Sequence, residues 1–179
     1  MMRVFNLLIL IAWMSFSSSD VKHSYWLIDS GEFNVKGKTS IGKFDCKYEL
    51  QIEDTLFFNQ KEGFSYKIPV REFRCGNFIL NNDFRKTLKH KEFPEVFFSM
   101  MYVDEKSAEN SNYPFELYLK IAGKEKHIKS LNLKRNKNVL TGEVELKFND
   151  FDLSPPQKLG GAITVEEDIH LSIRLNIKE

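Results

Sequence analysis

Four histidines, two cysteines and one acidic run are the residues whose types could do chemistry in this chain. His23, His90, His127 and His170 show neither the His-x-His nor the His-x-x-x-His spacing that sets two imidazoles on one metal ion. A metal site would have to be gathered from distant segments. The chain contains no Gly-x-Ser-x-Gly elbow, no phosphate loop and no dinucleotide fingerprint. Glu166-Glu167-Asp168 opens an alternating stretch beside a loop, where acids are solvated. Cys46 and Cys75 are too far apart for a Cys-x-x-Cys redox pair. An even count permits one bridge in an oxidising compartment, and two buried free thiols fit the sequence equally well. A bridge would close a loop of about 30 residues and contribute on the order of 3–4 kcal/mol. No catalytic residue, no metal site and no enzymatic activity follow from this inventory.

Charge excludes a second group of functions. Lys and Arg number 26 against 25 Asp and Glu, so no broad field exists to attract nucleic acid or an anionic membrane. Lys124, Lys126 and Lys129 alternate with apolar residues and read as the wet face of a strand. At the N-terminus, Arg3 precedes an apolar run from Val4 to Trp13 broken only by Asn6, with Ser15 and Ser17 to Ser19 after it. That is the layout of a secretory leader, and the run is shorter than the roughly 20 residues of a membrane span. The reading is therefore a leader over residues 1–19 and one domain over 20–179, periplasmic or secreted, with no membrane span once the leader is gone. The oligomeric state has no signature in the sequence.

The elements that would position any site are strands. Phe64, Tyr66, Ile68 and Val70 alternate with polar residues and Pro69. So do Phe115 to Ile121, Val144 to Phe148 and Ile169 to Ile177. Period-2 alternation of this kind marks antiparallel strands over a core. Adding weaker stretches gives eight strands, near 25–36, 40–53, 62–71, 96–103, 114–122, 125–134, 137–149 and 165–178. Short turn-rich links favour up-and-down neighbours. Residues 81–91 read as one short helix, capped by Asn82 or Asp83, carrying Phe84 and Leu88 on one stripe and stopped by Pro94. Such a helix would cover one end of a barrel. Residues 150–161, with Pro155, Pro156, Gly160 and Gly161, read as a loop. The fold class is all-β, an eight-stranded antiparallel barrel with one short helix.

What the sequence holds in excess is inward-facing apolar surface. From the first four strands come Phe33, Phe44, Tyr48, Phe64, Tyr66 and Ile68. The middle strands add Phe98, Met100, Tyr102, Phe115, Leu117 and Leu119, and the last two add Leu146, Phe148, Leu171 and Ile173. Cys46 shares its parity with Phe44 and Tyr48 and also points inward. An eight-stranded barrel is just wide enough to be filled by side chains or to hold one small ligand. Two readings follow: a filled barrel acting as an extracellular interaction or stress-response module, and a barrel with an apolar ligand lying between these side chains.

An ordered set of short motifs bears on that choice. They are Tyr25-Trp26-Leu27-Ile28-Asp29, Phe33 to Gly37, Asn82-Asp83-Phe84 to Leu88, and Phe93-Pro94-Glu95-Val96-Phe97-Phe98. Leu117 to Lys126 with its Gly123 turn, Asn149-Asp150-Phe151, and the closing Ile169 to Leu175 complete it. In this order and spacing the chain resembles the YceI-like family of exported bacterial proteins. The resemblance implies an extended lipocalin-like barrel that binds a polyisoprenoid or quinone-type lipid in its interior and uses no other cofactor. Where the family's early strand often carries a His, this chain has Lys36 and Gly37. Cys46 and Cys75 are not general to the family.

Overall fold

The computed structural model describes residues 25–51, 53–58, 63–103 and 111–178. The expected leader, His23 and Glu179 lie outside the described residues. One antiparallel sheet contains every strand described. In chain order the strands are β1 (Tyr25–Thr39), β2 (Gly42–Leu50), β3 (Asp54–Phe57), β4 (Phe64–Pro69) and β5 (Glu95–Tyr102). There follow β6 (Asn112–Ile121), β7 (Lys124–Asn136), β8 (Val139–Lys147), β9 (Gln157–Lys158) and β10 (Ile163–Lys178). Among the described residues a single α-helix, α1 (Phe78–Thr87), joins β4 to β5.

Strand order along the sheet is β2-β1-β10-β8-β7-β6-β5-β4. This is the expected up-and-down meander of eight strands, curled so that the N- and C-terminal strands pair. The stretch expected near 40–53 divides. β2 pairs with the second half of β1, and the short β3 pairs with its first half, opposite Tyr25 to Ile28. A register shift in β1 between Ile28 and Ser30 coincides with the break.

The expected closed ladder is replaced by a seam between β2 and β4. The described residues show no ladder across it. One pair of backbone bonds joins Lys47 to Arg74, at 2.9 and 2.8 Å. The sequence accounts for this locally. β4 is six residues long and ends at Pro69, which has no N–H to offer and is tolerated only at an edge. The chain then turns through a 3-10 helix, Val70–Glu72. Cys46 and Cys75 are bonded to each other across this seam, so of the two states open to them in the sequence the structure has the bridge.

Three further expectations are corrected. The helix starts three residues early, at Phe78, capped by Asn77 rather than Asn82 or Asp83; the Asn77 side chain accepts the Leu80 N–H at 2.9 Å. It ends at Thr87, and Lys89 takes a left-handed conformation (φ 52°), so the stop precedes Pro94. The 150–161 loop contains regular pieces: a 3-10 helix at Phe148–Phe151, β9, and a second 3-10 turn at Leu159–Gly161. Finally, Lys124 and Lys126 pair in register with the inward Ile121 and Leu119, because β7 shifts register between Ile128 and Leu131. They are not simply the wet face of a strand. At the barrel end their ammonium groups meet Asp152 and Asp150.

Candidate functional site

The barrel interior is two halves of different character. At the end where β1 begins, the side chains fill the space. Trp26 packs edge-on against Phe58 (4.4 Å between ring centres) and Tyr113 (4.7 Å), and Phe58 packs against Tyr102 (4.9 Å). Tyr102 meets Phe115 at 5.3 Å. Arg135 lies 4.9 Å over the Trp26 ring. Leu56, Met100, Leu117, Leu133, Leu140 and Leu175 complete a core that is inaccessible to solvent.

The other half is hollow. A cavity of about 160 Å³ opens at the end carrying α1. Its floor is the edge-to-face pair Phe33–Phe98, with ring centres 4.6 Å apart. Val35, Phe44, Cys46, Ile68, Leu119, Ile121, Leu146 and Leu171 form the strand walls. Leu80 and Phe84 of α1 and Leu88 at its C-cap cover one side of the mouth; Pro156, Ile163, Val165 and Ile169 cover the other. The helix is held by the stretch from Arg71 to Cys75 that follows β4. Asn81 accepts the Cys75 N–H at 2.7 Å, Arg85 donates to the Arg71 carbonyl at 2.7 Å, and Phe84 packs on Phe73 at 5.1 Å. Polar groups reach the cavity only near the mouth: Thr39, Thr87, and Asp83 paired with Lys158 at 2.7 Å.

Eight of the sixteen inward residues named from the sequence stand on this wall: Phe33, Phe44, Ile68, Phe98, Leu119, Leu146, Phe148 and Leu171. The other eight do not. Phe64, Met100, Tyr102, Phe115, Leu117 and Ile173 are buried outside the cavity lining. Tyr48 and Tyr66 stand together near the seam, their hydroxyls 3.4 Å apart. Burial raises the Tyr48 phenol well above its ordinary range, and the Tyr66 hydrogen bond adds to this. Period-2 parity cannot separate these groups, since it reports the face and not the depth. The helix and loop contributions were hidden for another reason: only the Phe84–Leu88 stripe signalled an inward face.

Phe44 shows how local sequence shapes the wall. Its ring lies directly over Gly37 on the neighbouring strand, where a Cβ would come within 2.5 Å of it. A side chain at position 37 would displace the ring.

The chemically capable residues are dispersed on the outside. His127 stacks on Tyr118 at 4.1 Å and meets Glu116 at 2.9 Å. The Tyr118 hydroxyl, and then His127, hold the Glu116 carboxyl below its usual range. His90 contacts the Arg85 carbonyl, and His170 is exposed. Glu167 accepts the Asn149 N–H at 2.6 Å, and Asp168 pairs with Lys147. Among the described residues no three potential metal ligands come together, and no helix is long and apolar enough to cross a membrane.

No curated protein matches the chain in sequence. Among solved structures, BcnA of Burkholderia cenocepacia superposes with a TM-score of 0.52 at 14% identity, over 82% of this chain and 96% of that one. A polyisoprenoid binding domain from Saccharophagus degradans, implicated in plant cell wall breakdown, superposes with a TM-score of 0.53 at 13% identity, over 88% and 100%. At such identities the likeness is one of fold, a lipocalin-type barrel. The family model described as YceI-like domain matches residues 18–177. With nearly the whole barrel covered, the chain belongs to the YceI-like domain family.

Proposed function

We propose that the hollow half of the barrel binds the apolar tail of an isoprenoid or similar lipid in the cell envelope, holding it away from water without chemical change. The observation that carries this reading is the cavity itself: an apolar wall with polar groups confined to the mouth, where a head group would rest. The polyisoprenoid binding domain from Saccharophagus degradans shares the fold, which supports an isoprenoid as the ligand class. A filled-core interaction module would need no such space.

Size bounds the ligand. A dry apolar cavity of roughly 150 Å³ takes a molecule about as large as benzene. The hollow half therefore holds on the order of one or two isoprene units, and the rest of any longer chain remains at the mouth. At about 0.8 kcal/mol per buried CH₂, such a tail contributes roughly 4–8 kcal/mol before association costs, which places affinity at micromolar or weaker. Native mass spectrometry with added prenyl alcohols tests the reading. One alcohol bound per chain is the expected result; no uptake at any length would contradict it.

A further inference from the structure

Among the described residues, the four most exposed large apolar side chains are Phe78 and Leu159 at 80%, Ile41 at 74% and Ile79 at 67%. All four stand at the hollow end of the barrel. Phe78 and Ile79 open α1, Ile41 occupies the β1–β2 turn, and Leu159 begins the 3-10 turn beside the mouth. Polar contacts join them into one arc. Ser40, next to Ile41, donates to the carbonyls of Thr164 and Ala162, and the Ala162 N–H donates to the Leu159 carbonyl at 3.3 Å. Lys158, next to Leu159, pairs with Asp83, which stands one helical turn from Ile79. None of the four lines the pocket or belongs to the core.

Single exposed apolar residues need no explanation, but a group ringing one opening does. The charge around them has one sign in excess. Asp83 is the sole acid in α1 and is already paired; Arg85 and Lys86 follow it. Lys86 lies seven residues after Ile79, on the same helix face. Lys86, Lys89 and Lys43 are all exposed. An apolar edge set among lysines is the composition that seats in the interface of an anionic bilayer, with the rings among the acyl chains and the ammonium groups on the phosphates.

We propose that this rim docks on an anionic lipid bilayer, so that the pocket mouth opens onto the membrane and a tail passes between the two without crossing water. The tail-binding reading supplies the purpose, but docking is measured separately. The test is flotation of the full chain with vesicles of phosphatidylglycerol and phosphatidylcholine, using the variant Ile41→Ser, Phe78→Ser, Ile79→Ser, Leu159→Ser. Those positions are exposed and outside the pocket, so prenyl alcohol uptake from solution should be unchanged. The wild-type chain should float, less so at about 1 M salt where the Debye length shrinks to about 3 Å. The serine variant should bind at least about tenfold more weakly. A second variant, Lys43→Gln, Lys86→Gln, Lys89→Gln, should lose the salt dependence. Wild-type protein that stays with the buffer, or a serine variant that floats equally well, would overturn the proposal. So would a dimer that the serine variant dissolves while neither form touches vesicles, since the rim would then cover a second copy. Vesicle binding without prenyl alcohol uptake would leave docking standing and remove the tail-binding function.

Discussion

Phe33 and Phe98 decide how deep the pocket runs. Their rings meet edge-to-face across the barrel, and Phe64 backs Phe98 at 6.2 Å. Phe98→Ala should destabilise the fold by about 3–5 kcal/mol, as for other large-to-small core changes. In the same variant the floor opens, so longer prenyl alcohols should gain affinity relative to short ones. Urea unfolding and a titration against chain length would check both. An unchanged length preference in a folded variant would show that the floor lies elsewhere. The inward parity of both phenylalanines was legible from alternation alone. That they form a floor was not, because depth depends on which rings from other strands fill the space behind. Trp26, Phe58 and Tyr113 do so from strand ends and a turn, where no period guides the reading.

At the scale of elements, the barrel depends on its seam. β2 and β4 share no ladder among the described residues, so the Cys46–Cys75 bridge and the Lys47–Arg74 backbone pair hold the edges together. The bridge also anchors α1, through the hydrogen bond from Cys75 N–H to Asn81. Replacing both cysteines by serine should lower stability by about 3–4 kcal/mol for a loop of this length. It should also weaken tail binding, because α1 forms one side of the mouth. Chemical denaturation and prenyl alcohol titration of the Cys46→Ser, Cys75→Ser chain would test this; full tail affinity would show that the seam stays closed without the bridge. The long strands were legible because they alternate over many residues; β3 and β9, four and two residues long, are too short to show a period. The helix start was not legible. Leu80 faces the pocket but follows two exposed apolar residues, Phe78 and Ile79, so the first turn of α1 shows no clean stripe, and Asn77 could not be preferred over Asn82.

The whole molecule is near neutral in charge, yet its carboxylates are tuned. Glu116 is held below its usual range by Tyr118 and then His127, Glu125 by Lys120, Glu143 by Lys36 and Asp152 by Lys124. Each takes up a proton less readily folded than unfolded. Their stabilisation is therefore present above the ordinary carboxylate range of about 4–4.5 and is lost as pH falls through the lower folded values. All are surface groups, so each contribution is small and screened by salt. The melting temperature should hold from about pH 7 to 5, then fall, with a smaller fall in high salt. A flat profile into strong acid would show that these pairs contribute nothing.

The barrel divides into a packed half and a hollow half, and chain-length dependence tests that division most directly. Dissociation constants of prenyl alcohols with one to four isoprene units should fall up to about two units and then level off, since the Phe33–Phe98 floor admits no more. Affinity that keeps rising through four units at the wild-type barrel would mean that the tail passes the floor, and would contradict a barrel hollow in one half only.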